Sequence, residues 1–227
     1  MFQRRLPAGL CVAVSLPETD DFAPPPSLHP DEAAYVHSSP AARRVTFIGG
    51  RVALRAAMTA LGADAGDVAR PILSTPRGAP AMPPGFVGSV SHKRELAVAL
   101  VARAAATPRT TIGVDVEIAR TLRTDIATRV LTPGEHAALS DLAGEARDAA
   151  VLRRFAVKEA IYKALDHWVQ RLVSFQEVEI VAALDGGLGV RLSLARGEGP
   201  FSVTVHDASG DGLVLVAAAI ERASDQL

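Results

Sequence analysis

The stretch FAVKEAIYKALDHW, residues 155–168, decides the fold of the second half of the chain. Apolar residues recur in it at helical spacing, 100° per residue. One face of this helix would hold Val157, Ala160, Ile161, Ala164 and Trp168. The opposite face would hold Leu152, Phe155 and Ala156 together with Glu159 and Lys163. Because a surface helix is apolar on one side only, the pattern predicts a second packing partner on the side of Glu159.

The composition is that of a globular protein whose net charge is too small to create a strong electrostatic field. The 227 residues are 48% hydrophobic, enough for a packed core in one large or two small domains. The formal net charge is −1, so no global basic field attracts nucleic acid or a membrane surface. A single cysteine, Cys11, excludes an internal disulfide and fits a reducing compartment.

No segment of the sequence has the pattern of a membrane anchor. The longest apolar runs, such as LVLVAAAI at residues 213–220, are far too short to span a bilayer. The N-terminal stretch MFQRRLPAGLCVAVSLPE imitates a secretory signal, but Pro7 interrupts its apolar run and no small-residue cleavage site follows. We therefore expect a first β-strand there, and a cytoplasmic protein that binds neither nucleic acid nor membrane.

The predicted order of elements is β, α, β, β and then α, β, β, β, β. A helix is expected from about residue 39 to residue 61, with Gly49 and Gly50 weakening its middle. The order predicts an α+β fold of two similar halves. We place the first half at residues 1–114 and the second at residues 115–227.

Side chains alternate along a predicted strand with the sequence TTIGVDVEI, residues 110–118. One face carries only Ile and Val and is expected to be core. The other face carries Gly113, Asp115 and Glu117, and the two carboxylates project side by side with their Cα atoms about 7 Å apart. They are either a solvated strand face or ligands of a hard divalent cation, Mg²⁺ above all. The lack of a His/Cys set argues against zinc.

Glu159 stands between two lysines, Lys158 and Lys163. Its i,i+4 spacing to Lys163 is typical of a surface ion pair worth roughly a few tenths of a kcal/mol. The apolar residues around it favour a second interpretation, in which it faces Asp115 and Glu117. Three carboxylates would leave positions on Mg²⁺ open for substrate phosphates and water, and the lysines would neutralise phosphate charge.

Other cations could bind phosphates as well. On a continuous helix Arg44, Arg51 and Arg55 form one stripe, which is either a phosphate clamp or a solvated basic face. The pair Arg77-Gly78 lies in a Pro/Gly loop where backbone can approach a ligand closely. No Walker A motif and no Gly-x-Ser-x-Gly elbow is present, so neither a P-loop site nor a serine nucleophile is indicated.

Four motifs in the same order resemble those of the phosphopantetheinyl transferases, specifically the longer, pseudo-dimeric type that activates surfactin and enterobactin synthetases. They are RRVTFIGGRVALRAAMTALG, PAMPPGFVGSVSH, GVDVE and FAVKEAIYKA, and LVSFQEVEI continues the pattern after the last of them. The resemblance covers roughly residues 40 to 184.

The resemblance implies two α+β halves related by pseudo-twofold symmetry, with coenzyme A bound in the cleft between them. It implies Mg²⁺-dependent transfer of the phosphopantetheine arm to a serine of an apo carrier protein, with release of adenosine 3',5'-bisphosphate; Mn²⁺ is the alternative metal. The carrier would be an acyl or peptidyl carrier domain of a polyketide, non-ribosomal peptide or siderophore synthase. We expect a monomer, because the two halves would complete the cleft.

The resemblance also implies residue roles. The metal ligands would be Asp115, Glu117 and Glu159, with Glu159 also the base and Lys163 a catalytic phosphate contact. Coenzyme A would be bound by Arg43, Arg44, Arg51, Arg77, Gly78, Ser91, His92, Lys158 and Lys163. Lys93 stands where relatives often have a small residue or Cys, and it could contact a phosphate or be solvated.

Two other classes of function remain open at this stage. A metal-dependent phosphodiesterase or nuclease would also use a carboxylate pair and an acid-Lys element, but the near-neutral charge and the lack of an aromatic, basic groove count against it. A non-catalytic module that binds carrier proteins or coenzyme A would not need three carboxylates at one site.

Overall fold

The structure, a computed structural model, describes residues 2–17, 25, 28–104, 109–119, 124–182 and 187–223. In this part of the chain the first half contains four strands and three helices. They are β1 (Phe2–Leu6), β2 (Gly9–Ser15), α1 (Pro30–His37), α2 (Ala41–Ala60), α3 (Ala65–Ala69), β3 (Phe86–Lys93) and β4 (Leu96–Arg103). The strands form one antiparallel sheet in the order β1-β2-β4-β3. The predicted single N-terminal strand is therefore a hairpin of two.

The second half adds five strands and three α-helices within the described ranges. They are β5 (Thr110–Ile118), α4 (Ala127–Val130), α5 (Pro133–Ala138), α6 (Gly144–Val169), β6 (Val178–Ala182), β7 (Leu188–Leu192), β8 (Phe201–Asp207) and β9 (Leu213–Arg222). One antiparallel sheet has the order β5-β9-β8, and β6 and β7 pair separately. A single 3-10 turn, Phe175–Glu177, precedes β6.

The two halves repeat one topology. In each, a strand leads into a long helix and then into two strands, and the last strand lies in the middle of the sheet: β2-β4-β3 with α2, and β5-β9-β8 with α6. This repeat confirms the predicted α+β fold of two similar halves. The boundary between residues 114 and 115 remains a prediction; strand β5 runs across it and pairs with β9 along its whole length.

Three apolar clusters hold these elements together. Helix α2 packs on one face of the first sheet, and α6 packs on one face of the second. The remaining faces of the two sheets meet in a third cluster that includes Cys11, Leu100, Val114 and Leu215. Burial there raises the pKa of Cys11 to about 12, so this thiol is an inert core residue. No helix in the described ranges is long and apolar enough to cross a membrane.

Glycines let both long helices approach their sheets closely. Helix α2 runs without interruption through Gly49 and Gly50, contrary to the expectation that they weaken its middle. A Cβ at Gly49 would lie 2.2 Å from Leu16 Cδ2, and one at Gly50 would lie 2.9 Å from Val90 Cγ1. Because these positions lack side chains, the helix backbone packs directly against Leu16 and Val90. This packing offsets the low helix propensity of glycine.

Candidate active site

Helix α6 lies almost directly on the backbone of strand β5. A Cβ at Gly113 would lie 1.9 Å from the carbonyl oxygen of Ala160, so glycine is required at this crossing. Thr111, two residues before Gly113 on the same face of β5, donates to the Ala164 carbonyl at 2.7 Å and accepts from Trp168 Nε1 at 2.9 Å. These contacts fix the rotation and height of α6 over β5. The polar residues that follow Gly113 therefore lie under a defined segment of the helix.

Asp115 is the most enclosed member of this polar group, with 4% of its surface exposed. Its Oδ1 atom accepts from Ser91 Oγ at 2.7 Å and from Lys163 Nζ at 2.7 Å. Its Oδ2 atom is buried and has no hydrogen-bond partner among the described residues. An unsatisfied buried carboxylate oxygen is costly, so this atom is available to bind a ligand. The solvated strand face, the alternative interpretation of this residue, is thus wrong for Asp115.

Two serines of β3 join the two sheets beside Asp115. Ser89 Oγ accepts from the backbone N–H of Val114 at 3.1 Å, and Ser91 Oγ accepts from that of Val116 at 3.4 Å. Edge strands β3 and β5 are therefore linked by hydroxyl groups in place of a backbone ladder. Ser89 was not among the predicted site residues, although its period-2 spacing from Ser91 is visible in the motif GSVSH.

Glu117 and Glu159 complete the carboxylate group. Glu117 Oε1 lies 2.5 Å from Lys93 Nζ, and burial raises the pKa of Glu117 while that ion pair opposes the rise. Burial likewise raises the pKa of Glu159, and the negative charges of Asp115 and Glu117 add to the effect of burial. Lys163 acts in the opposite direction on the pKa of Glu159. The half-buried Glu159 side chain lines the same cavity as Asp115 and Glu117, and no described side chain or backbone group donates a hydrogen bond to it.

The three carboxylates line one small cavity of about 290 Å³, whose walls come from both halves of the chain. A larger cavity of about 630 Å³ lies between the loop 75–82 and the C-terminal part of α6. Lys163 lines both cavities, and its ammonium is held by Asp115 Oδ1 and, at 3.0 Å, by the Val114 carbonyl. The second face of the helix at 155–168 thus borders a cleft between the halves, through Phe155, Glu159 and Lys163.

The donor chemistry of this cavity fits Mg²⁺. All three acidic groups offer oxygen, which is what a hard divalent cation binds, and the Asp115 Oδ2 atom lacks a partner. Within the described ranges, however, no three acidic, His or Cys side chains converge as a ready metal cluster. Two of the three carboxylates are engaged in ion pairs, Asp115 with Lys163 and Glu117 with Lys93. Lys93 thus binds Glu117, a contact that the sequence did not predict, and its side chain is still about one third exposed.

The structure contradicts the assignment of Lys158 to phosphate binding. Its side chain is fully buried, and its ammonium donates to Glu135 Oε2 at 2.6 Å and to the carbonyls of Val130 and Phe175 at 2.7 and 2.9 Å. Burial lowers the pKa of Lys158, and Glu135 counteracts that effect. Lys158 joins α4, α5 and the 3-10 turn beneath α6. Glu135, which sequence reasoning missed, is signalled by the capping pattern TPGE, because its carboxylate also accepts from the N–H of Thr132 at 2.7 Å.

Two of the arginines that were predicted to bind coenzyme A instead hydrogen-bond to backbone carbonyls. Arg51 is 5% exposed, donates to the Ile72 carbonyl at 2.5 Å and stacks on Phe47 with 3.8 Å between the guanidinium carbon and the ring centre. Arg44 donates to the Ser39 carbonyl at 2.7 Å. Their guanidinium groups are thus anchors for backbone, and neither lines the carboxylate cavity. For the buried Arg51 this corrects both the phosphate-clamp and the solvated-face interpretations of the stripe.

The other predicted cations lie at the cleft. Arg43 is exposed, and its charge acts on His92; burial, Lys163, Lys93 and Arg43 together lower the pKa of His92. His92 lines the carboxylate cavity, while Ser91, which also lines it, is engaged with Asp115. Arg77 lines the larger cavity and donates to Asp166 Oδ1 at 2.6 Å.

The conformation of the loop that contains Arg77 depends on the next residue, Gly78. Gly78 has a φ of +89°, a left-handed conformation that favours glycine, and nothing lies within 4 Å of the position of its missing Cβ. The loop therefore turns sharply at an open position beside the larger cavity.

The chain is similar to known proteins over most of its described length. The sequence matches the family model of the 4'-phosphopantetheinyl transferase N-terminal domain over residues 31–102 and that of the 4'-phosphopantetheinyl transferase superfamily over residues 111–218. The second match contains all three carboxylates and Lys163.

Two similar proteins are the 4'-phosphopantetheinyl transferases Svp of Streptomyces mobaraensis and Npt of Nocardia iowensis. Svp is 33% identical over 205 residues, 85% of this chain and 78% of Svp. Npt is 32% identical over 187 residues, 82% of this chain and 79% of Npt. Among solved structures, a holo-(acyl-carrier-protein) synthase from Bacillus anthracis in complex with CoA (3',5'-ADP) aligns with a TM-score of 0.42 and 22% identity over 49% of this chain and 96% of that one.

Proposed function

The chain belongs to the 4'-phosphopantetheinyl transferase superfamily, and from that premise we propose that it moves the phosphopantetheine arm of coenzyme A to a serine of an apo carrier protein. The reaction would depend on Mg²⁺, with Mn²⁺ as a substitute, and would release adenosine 3',5'-bisphosphate. The observation that carries this proposal is that Asp115, with its unpartnered Oδ2 atom, lines one cavity together with Glu117 and Glu159, and that Lys163 lines both this cavity and the larger one.

In this proposal Asp115, Glu159 and Glu117 hold the metal, Asp115 through its Oδ2 atom. When bound, Mg²⁺ would neutralise the pyrophosphate of coenzyme A and orient it for in-line displacement. Lys163 lies within reach of both cavities, so its ammonium would contact the pyrophosphate between them. The larger cavity has the volume of an ordinary small-molecule site, and it would take the remainder of coenzyme A beside Arg77.

Glu159 is suited to act as the base. It is half-buried, it makes no hydrogen bond within the described chain, and its raised pKa makes it a better proton acceptor than an ordinary carboxylate. The serine oxygen forms a bond to the phosphorus that carries the pantetheine arm, and its proton passes to Glu159, directly or through one water. The bond from that phosphorus to the bridging oxygen breaks, and adenosine 3',5'-bisphosphate leaves with that oxygen.

Arg43 and His92 would bind a further phosphate of coenzyme A at the rim of the cleft. Their positions support this, because Arg43, His92 and Lys93 lie close enough for their charges to interact. The acceptor would be an acyl or peptidyl carrier domain of a polyketide, non-ribosomal peptide or siderophore synthase. The monomer is proposed because both walls of the small cavity come from one chain.

The test is incubation of the protein with MgCl₂, coenzyme A and an apo carrier domain, followed by intact mass measurement. Transfer adds about 340 Da to the carrier, the mass of the covalently attached arm. EDTA should abolish the gain in mass. Cleavage of polynucleotide without this gain would support a nuclease, and binding without any change in mass would support a non-catalytic module.

A further inference from the structure

We propose that Lys93 is a built-in competitor of the divalent cation, an internal ammonium that occupies Glu117 until the metal displaces it and thereby sets the metal affinity of this chain. The inference rests on the proposed function, because it concerns the same carboxylates. It goes beyond that function, because it assigns a role to a residue that is absent from the predicted metal and coenzyme A sets.

The two lysines at the carboxylate cavity differ in how they are held. Lys163 donates to Asp115 and also to the Val114 carbonyl, so its ammonium has a second partner whether or not a metal is bound. The Lys93 ammonium has Glu117 as its one hydrogen-bond partner among the described residues, and its side chain is about one third exposed. Lys93 lies at the end of strand β3, beside β5. Lys93 can therefore swing toward solvent and release Glu117, whereas Lys163 stays at the junction of the two cavities.

The occupied carboxylate is one that the metal needs. Asp115 Oδ1 accepts from Ser91 and Lys163, so Asp115 offers its Oδ2 atom. The Glu159 side chain is half-buried in the same cavity and is available. Glu117 is the remaining carboxylate, and its Oε1 atom lies 2.5 Å from Lys93 Nζ. A metal cation and an ammonium on the same carboxylate repel each other and compete for its negative charge, because both are positive.

The type of residue supports a displaceable contact. The sequence contains 24 Lys and Arg residues together, of which only three, Lys93, Lys158 and Lys163, are lysine. An arginine at position 93 would grip Glu117 with a planar, bidentate fork. A lysine ammonium is a compact, strongly hydrated point charge on a flexible stem, so it can leave a carboxylate for water. The lysine at position 93 therefore allows the contact with Glu117 to open more readily than an arginine would.

The experiment measures metal binding directly, without carrier protein and with no need for turnover. Mn²⁺ is titrated into the wild type and into Lys93→Met, and the EPR signal of free Mn²⁺ reports binding; Mg²⁺ is measured by competition. We expect Lys93→Met to lower the Kd for Mn²⁺ at least about tenfold, because a positive charge in contact with a ligand oxygen is removed. Lys93→Arg should bind Mn²⁺ no more tightly than the wild type.

Arg94→Met is the matched control. Arg94 is the next residue, is exposed, and lies in the turn between β3 and β4. Its removal takes away one positive charge near the site without freeing a carboxylate, so the Kd should change by less than about twofold. If Lys93→Met does not fold, as judged by circular dichroism and thermal unfolding, Lys93→Gln is measured in its place.

The outcomes separate this inference from the proposed function. Equal Mn²⁺ affinity in wild type and Lys93→Met, with transfer intact, would overturn the role of Lys93 and leave the transferase proposal standing. An unchanged Mn²⁺ affinity with weaker coenzyme A binding in EDTA would instead make Lys93 a phosphate contact. Failure of every protein to bind Mn²⁺ or Mg²⁺, also in the presence of coenzyme A, would remove the metal site and the inference with it.

Discussion

Helix α6 contributes two lysines, five residues apart, and each forms an ion pair with a carboxylate from another element. The two pairs differ in whether a carboxylate oxygen is left without a hydrogen-bond partner. Lys158 and Glu135 are both fully buried, Lys158 has three acceptors, and Glu135 also binds the N–H groups of Thr132 and Ile180. Lys163 and Asp115 are 25% and 5% exposed, and Asp115 keeps a buried oxygen without a partner. The same chemistry thus makes a closed structural joint at one position and an open site at the other.

One helix thus contributes both to a pair that stabilises the fold and to a pair at the candidate active site. The closed pair ties α4, α5 and the 3-10 turn to α6 on one side. The open pair lies over Gly113 on another side, where the helix touches the second sheet. Charge alone does not identify a functional site; the unsatisfied atom does.

The largest expected effect is the loss of stability when the closed pair is broken. Lys158→Met leaves the Glu135 carboxylate buried, with Arg154 Nε at 3.9 Å as the nearest remaining cation. Breaking a buried pair from one side typically costs about 3–5 kcal/mol. Urea unfolding of Lys158→Met beside Lys163→Met measures this comparison. A Lys163 variant that loses as much stability as the Lys158 variant would mean that the two pairs are not different in kind.

The next effect concerns Glu159, on the open side of the helix. Glu159→Gln keeps the size of the side chain but removes its charge and basicity, so single-turnover transfer should fall about 100-fold or more. Glu159→Asp should lose less, because a carboxylate remains. Mg²⁺-supported coenzyme A binding should fall much less than transfer in the Gln variant, since Asp115, Glu117 and the phosphates still hold the metal. Near-normal turnover in Glu159→Gln would show that Glu159 is neither base nor essential ligand.

The pH dependence of transfer follows from the same residue. A base acts in its deprotonated form, and burial raises the pKa of Glu159 above its ordinary value of 4.5. Transfer should therefore rise with pH as Glu159 loses its proton, and a bound divalent cation should shift this limb to lower pH because it opposes the effect of burial on the pKa of Glu159. A rate–pH profile of the wild type and Glu159→Asp measures it, and the limb should disappear in Glu159→Gln. A limb that persists unchanged in the Gln variant would assign it to another group.

A smaller effect is expected at Arg77, which pairs with Asp166 on the exposed end of α6. Arg77→Ala should weaken coenzyme A binding several-fold with little change in stability, because exposed ion pairs contribute little to folding. The affinity of the wild type should also decrease with salt. Calorimetry of the variant beside Arg70→Ala, an exposed arginine paired with Asp67, provides the control. Equal affinities in both variants would remove Arg77 from the binding site.

Sequence periodicity predicted the structural features that depend on a single strand or helix. Alternation along β5 correctly separated Val114 and Val116 from Asp115 and Glu117. Helical spacing correctly predicted that α6 is apolar on one face and has a second packing partner on the other, while the cleft between the halves was implied by the family resemblance. Both results follow from the fixed geometry of strands and helices.

Contacts between distant elements could not be predicted in the same way. Lys158 was assigned to the cleft because it precedes Glu159, but its partner Glu135 lies 23 residues earlier, in a short helix. Arg51 binds the carbonyl of Ile72, and every residue has a carbonyl, so no pattern of side chains marks it. Lys93 meets Glu117 across the junction of the two halves, a contact that depends on how their edge strands align.

The most direct measurement of the central claim uses Asp115→Asn. This change keeps the shape of the side chain but removes its charge, so we expect Mn²⁺ binding and transfer to fall about 100-fold or more. Stability should change much less than in Lys158→Met, because the lost ion pair with Lys163 is offset by relieved carboxylate repulsion and Lys163 keeps the Val114 carbonyl as a partner. Transfer by Asp115→Asn at the wild-type rate, or a loss of stability as large as that of Lys158→Met, would contradict the claim that Asp115 is held for chemistry.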